Sequence, residues 1–171
     1  RVTLGVAGPR PSPFDGLEPT NTGAQFTNAN QQLEITSLTT LNDTAYSYEV
    51  WFNYTELSIN GNVQYFGGRG SGTTLSYDSV GVLYSIATLT SKLLFFDGSA
   101  SVLGSTVSSN TWHYLVYTRD NTDVKVYLDG ALDISTTSAN TYGTSDRIVA
   151  GLRPGDLGFI NNFTLDELAI Y

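Results

Sequence analysis

The chain has 171 residues and a mass of 18.5 kDa, with 40% hydrophobic, 12% aromatic and 14% charged residues, no Cys, no Met and a mean hydropathy of -0.09. This excludes disulfide scaffolds, thiolate metal sites and cysteine nucleophiles, and the apolar run at Lys92 to Phe96 falls far short of the roughly 20 residues that span a bilayer. Eight Lys and Arg against sixteen Asp and Glu give a net charge of -8 and a pI near 4.3, which argues against nucleic acid and against membrane insertion.

One domain with a real core is expected at this length, because a compact chain of about 150 residues buries about 70% of its unfolded surface. Thr, Ser, Asn and Gly make up 68 residues; Thr favours a pleated strand, and Asn, Ser and Gly serve turns. No window shows sustained helical spacing, so the chain reads as all-β, a two-sheet antiparallel sandwich of about a dozen strands. In chain order, residues 1 to 22 form an extended lead-in or linker. Pro9, Pro11 and Pro13 lack backbone donors and cannot sit in a central strand. The compact domain is expected over residues 23 to 171.

The strongest strand runs from Ala45 to Asn53, with Tyr46, Tyr48, Val50 and Phe52 on a core face and Ser47, Glu49, Trp51 and Asn53 on a mixed, solvated face. Short strands are expected next at Val63 to Gly67, Thr74 to Tyr77, Val82 to Thr88 and Lys92 to Phe96, and Asp97-Gly98 turns the chain into another at Ser101 to Thr106. A three-strand meander is expected from Thr111 to Ser135, with turns at Asp120 to Asp123 and at Asp129-Gly130. In its first strand His113, Leu115 and Tyr117 share one face, and Trp112, Tyr114, Val116 and Thr118 the other. Further strands cover Arg147 to Leu152 and Phe163 to Tyr171.

The phrase Trp112-His113-Tyr114-Leu115-Val116-Tyr117-Thr118-Arg119-Asp120, followed by Val124-Lys125-Val126-Tyr127-Leu128-Asp129-Gly130, resembles the hairpin of the laminin-G-like, concanavalin A-like jelly roll. Tyr46-Ser47-Tyr48-Glu49-Val50-Trp51-Phe52 is similar to an early strand of that family, and Leu165-Asp166-Glu167-Leu168-Ala169-Ile170-Tyr171 to its closing strand. The resemblance implies a jelly roll and a carbohydrate-recognition role. It departs at Phe26 to Leu33, where amides stand in place of the family's acids, which puts calcium binding in doubt.

The β-glucan hydrolases of that fold resemble one another in a strand bearing Glu-x-Asp-x-x-Glu, which puts acid and nucleophile on one face about 5 Å apart, and this chain lacks that triplet. Asp166 and Glu167 are adjacent and point to opposite faces. A Ser-His-Asp assembly would have to use His113, the lone histidine, whose place in the hairpin phrase needs no catalytic explanation. No catalytic residue is assigned, and the chain is expected not to be an enzyme. Asp166 shares its expected face with Leu168 and Ile170, so burial is expected, with either polar ties between the first and last strands or a cation; Asp166 and Asp15 are the candidate metal ligands, and calcium the candidate ion. Asp15, Asp43, Asp78 and Asp156 otherwise read as solvated turn acids.

Sugar recognition needs an aromatic face for the ring and polar groups for its hydroxyls. Candidates in loop-rich stretches are Tyr54, Tyr65, Arg69, Tyr77, Tyr142, Arg153 and Asp156. Gly67-Gly68-Arg69-Gly70-Ser71-Gly72 lacks the ending of a phosphate cradle and reads as a bend. The expected role is a non-catalytic carbohydrate-recognition module binding a polysaccharide or glycan, extracellular or on a cell surface. The absence of Met suits a piece of a larger protein. The alternative is a structural or adhesive module whose partner is another protein or a second copy of itself.

Overall fold

The computed structural model describes residues 2–10, 17–28, 31–36, 41, 44–70, 77–142, 147–151 and 161–171. Among them there is no helix, hence none long and apolar enough to cross a membrane. Among the described residues thirteen strands form two antiparallel sheets, the two-sheet sandwich that the alternation and turn signals predict and the jelly roll that the family resemblance implies. They are β1 (Thr3–Ala7), β2 (Thr22–Phe26), β3 (Leu33–Ile35), β4 (Ala45–Tyr54), β5 (Val63–Gly70), β6 (Tyr77–Ser85), β7 (Thr90–Phe96), β8 (Ser101–Val107), β9 (His113–Asp120), β10 (Asp123–Leu128), β11 (Ala131–Thr137), β12 (Arg147–Ala150) and β13 (Phe163–Ile170). The seven-stranded sheet runs β1-β2-β13-β4-β9-β10-β11, and the six-stranded sheet β3-β12-β5-β6-β7-β8.

Period-two alternation builds the core. Tyr46, Tyr48, Val50, Phe52 and Tyr54 of β4 face inward beside Leu115 and Tyr117 of β9 and meet Phe66, Val80, Val82, Leu93 and Phe95 of the other sheet. Ring contacts fill this core: across the sheets Phe52 stacks on Phe66 with centroids 4.0 Å apart, and within the seven-stranded sheet Tyr48 stacks on Tyr117 at 4.9 Å. The expected turns recur. Asp129 and Gly130 take φ of 51° and 83°, the pair of positive values that a two-residue hairpin turn demands, and residues 121–122 join β9 to β10.

Two details depart from the sequence reading. Of the strand expected at Thr74 to Tyr77 all but Tyr77 lies outside the described residues, and the strand expected at Val82 to Thr88 begins earlier, as β6. It places Asp78 inside the sandwich rather than in a turn. In β13 a bulge between Asp166 and Ala169, with Glu167 at φ 51°, resets the alternation. Leu165 and Ile170 point inward, and Asp166 stands opposite Trp51 on the outward face, half-buried rather than enclosed with Leu168 and Ile170.

The sandwich has unlike sides. At one side β11 and β8 meet: Asp133 accepts hydrogen bonds from the Ser105 backbone N–H at 3.0 Å and from its hydroxyl, and a side chain at Gly104 would collide with that carboxylate. At the other, β1 and β3 leave a groove of about 290 Å³ between the sheets, with Leu4 and Leu33 exposed in its walls. The lead-in thus supplies the edge strand β1, paired with β2.

Candidate functional site

Four polar or aromatic clusters compete as sites. The first is internal. Asp78, 1% exposed, accepts hydrogen bonds from Arg119 Nη1 at 2.7 Å, the Tyr117 hydroxyl at 2.7 Å, Ser138 Oγ at 2.7 Å and Asn140 Nδ2 at 2.8 Å. Arg119 also donates to the Asn121 carbonyl at 2.8 Å and the Asn140 carbonyl at 2.5 Å. Its guanidinium lies 4.9 Å from the centre of the Tyr142 ring, which Arg69 approaches at 4.7 Å while also lying 4.8 Å from the centre of the Tyr46 ring. Burial works against the charge on Arg119, and Asp78 with the neighbouring tyrosines raises its pKa instead. Burial, reinforced by Asp78, likewise holds the Tyr46 and Tyr142 phenols far above their ordinary value. The cluster pins residues 138–142 to both sheets and is closed to a ligand.

Arg69 and Tyr142 therefore come together, but inside the fold. Tyr65 and Tyr77 lie in strands on the outward face of the six-stranded sheet, 2% exposed each; Tyr65 packs with Val63 and Leu94, and Tyr77 against Phe96 at 5.7 Å. Tyr54 points inward and donates its hydroxyl proton to the Val107 carbonyl at 2.8 Å. These five expected ligand residues are thus buried strand or core groups; the Tyr54 and Tyr142 hydroxyls have polar partners inside the fold, and Tyr65 and Tyr77 pack against apolar neighbours. Arg153, Asp156, Asp15 and Asp43 lie outside the described residues. Asp78, read as a solvated turn acid, is the buried partner of Arg119.

His113 forms the second cluster. Nδ1 lies 2.7 Å from Asp129 Oδ2, and Nε2 lies 3.0 Å from both the Ser108 hydroxyl and the Ser108 carbonyl oxygen. The spacing is that of a serine relay. Nε2 faces the Ser108 carbonyl oxygen as closely as the hydroxyl, so both polar groups of Ser108 hold the ring in place. The array clips the β10–β11 turn to the entry of β9, with Asp129 Oδ1 also accepting the Tyr114 N–H at 2.9 Å.

Asp166 forms the third. Burial raises its pKa, and Asn21 Nδ2 bridges its carboxylate at 2.5 Å to the Pro9 carbonyl at 3.1 Å. One carboxylate and one carbonyl fall short of the six to eight oxygens calcium takes, and no three His, Asp or Glu side chains converge among the described residues. The described residues do not make a calcium site.

The fourth cluster faces solvent on the seven-stranded sheet. β4 and β9 pair with Trp51 directly opposite Tyr114, and the two part-buried rings meet at 5.1 Å between centroids with a 36° tilt. The Tyr114 hydroxyl donates to Glu49 Oε2 and the Tyr171 hydroxyl to Glu49 Oε1 at 2.9 Å. Burial and the Glu49 carboxylate push the Tyr114 phenol up to about 12. Tyr127 follows on β10, opposite Val116. This is a preset pair of ring faces beside a carboxylate with lone pairs to spare. The sequence reading had these residues on the mixed face of each strand without joining them; antiparallel pairing of those two faces was the signal.

An antiparallel jelly roll with an outward aromatic and acidic face defines a lectin-like sandwich. The chain belongs to the laminin-G-type family described as the concanavalin A-like lectin/glucanases superfamily, whose profile matches residues 26–171. No curated protein sequence matches it significantly. Among solved structures it is similar to a sialidase of Trypanosoma rangeli (14% identity, TM-score 0.64, covering 87% of this chain and 25% of that one). It is also similar to the receptor binding domain of botulinum neurotoxin type G (16%, TM-score 0.58, 99% and 40%). A third likeness is to domain 4 of AbnA, an extracellular arabinanase of Geobacillus stearothermophilus solved with arabinotriose (18%, TM-score 0.53, 88% and 66%). The chain spans about a quarter of the sialidase and less than two thirds of the other two. At these identities the likeness is one of fold.

Proposed function

We propose that the chain is a carbohydrate-recognition module of a larger secreted or cell-surface protein, and that it holds its glycan on the Trp51–Tyr114 face without cleaving it. The observation that carries this is the outward ring pair locked beside Glu49. A ring face covering about 100 Å² of a sugar contributes roughly 2.5 kcal/mol, so two faces supply about 5 kcal/mol against the roughly 4 kcal/mol of a millimolar ligand. One aromatic would not suffice; two adjacent ones with polar partners such as Glu49 are needed. Both Glu49 oxygens accept phenolic hydrogens, an arrangement suited to orienting sugar hydroxyls rather than to shuttling a proton. The arabinotriose complex of the arabinanase domain supports a glycan role for this kind of sandwich by analogy of fold.

Affinity electrophoresis through gels containing arabinan, β-glucan, xylan, galactan or mannan tests the reading. Retardation by at least one polymer, lost in Trp51→Ala, is expected. Equal retardation of the variant and the parent would place binding elsewhere, and free migration through every gel would remove the reading.

A further inference from the structure

Among the described residues, charge around the Trp51–Tyr114 face is almost wholly negative. Glu49 lies at its centre, the Asp129 carboxylate binds the Tyr114 backbone N–H, Asp166 stands across β13 from Trp51, and Glu167 is exposed beside it. Two described cations occur on the strands of this sheet. Arg119 is buried on Asp78 on the inward side, and Lys125 is exposed one same-face step along β10 from Tyr127. The net charge of -8 adds a repelling background. Aromatic faces carry negative electrostatic potential and add to the bias, since they attract ammonium groups.

Glu49 already accepts one hydrogen bond at each oxygen, and its remaining lone pairs call for donors. Sugar hydroxyls and ammonium groups supply donors; carboxylates and sulfates do not. An anionic substituent about 5 Å from one carboxylate in water loses about four-fold in affinity, and two or three acids compound this at low salt.

From these residues we propose that the face selects glycans by charge. It takes neutral or amine-bearing chains and rejects those with a carboxylate or sulfate on the bound residue. The inference rests on the Trp51–Tyr114 reading and runs against any transfer of acidic-sugar preference from the sialidase, with which the chain shares only a fold.

A glycan array bearing neutral, amino, carboxylated and sulfated members, probed with the full chain at low and at physiological salt, tests it. Retained glycans are expected to be neutral or amine-bearing and to be lost in Trp51→Ala, and Glu49→Gln is expected to raise retention of acidic members about four-fold at low salt. A carboxylated or sulfated glycan retained as well as its neutral counterpart, and lost in Trp51→Ala, would overturn the charge rule while leaving the face as the site. No retention in any class, or retention indifferent to Trp51→Ala, would remove the face as a site and the rule with it.

Discussion

β4 and β9 carry two polar-aromatic clusters back to back, and the two are built to opposite ends. Inward, Tyr46 and Tyr117 join Arg119, Asp78 and Tyr142 in a network with every Asp78 oxygen engaged. Outward, Glu49, Trp51 and Tyr114 form an open face tied by Tyr171. The residue types are nearly the same on both sides. What differs is water: the buried set has replaced it by protein donors and so fixes the fold, while the outward set keeps unused acceptors and ring faces for a partner.

That difference can be stressed most strongly with alkali. Burial holds the phenols of Tyr46, Tyr48, Tyr117 and Tyr142 well above their ordinary value of 10. A phenol raised in the folded state contributes stability that is present below pH 10 and is lost as pH rises through its folded value. Tyrosinate absorbance is therefore expected to rise in two stages, the buried groups ionising only as the fold is lost. Ionisation of all eleven tyrosines near pH 10 with the fold intact would contradict the inward network.

Arg119→Ala leaves Asp78 charged and buried, and chemical denaturation should show a loss of about 3–5 kcal/mol. A loss under about 1 kcal/mol would mean that the network does not hold the sheets. Trp51→Ala is the outward counterpart: about 2.5 kcal/mol of glycan affinity, roughly 70-fold, should disappear in calorimetric titration while stability shifts much less. Tyr117→Phe removes one of four donors to Asp78 and should cost about 1–1.5 kcal/mol of folding stability. Tyr114→Phe keeps the ring and leaves Glu49 with Tyr171, so both stability and glycan affinity should change by less than about 1 kcal/mol. A larger loss of affinity there would make the Tyr114 hydroxyl a direct sugar contact.

Most of the fold was legible because strand alternation and turn chemistry are local. The core face of Tyr46, Tyr48, Val50 and Phe52, the hairpin around Asp129-Gly130 and the closing strand all read directly from sequence. The site was not, for two physical reasons. Tyrosine is both apolar and polar, so a sequence cannot tell a sugar platform from Tyr54, whose hydroxyl is satisfied by a core carbonyl. Asp78 and Asp166 depended on events no local pattern records: a strand begun earlier than its apolar run suggests, and a one-residue bulge at Glu167. Trp51 and Tyr114 become neighbours only through the register between strands some sixty residues apart in the chain.

The unequal sides of the sandwich set an order of opening. Asp133 and Ser105 bind β11 to β8 like the spine of a book, whereas the pages at β1 and β3 part around a groove. Backbone amides of β1 and β3 are therefore expected to exchange hydrogen before those of β8 and β11 in a hydrogen-exchange measurement. The Trp51–Tyr114 face lies between these extremes on β4 and β9, flanked by paired strands on both sides, so its rings are expected to keep their register where the margin does not.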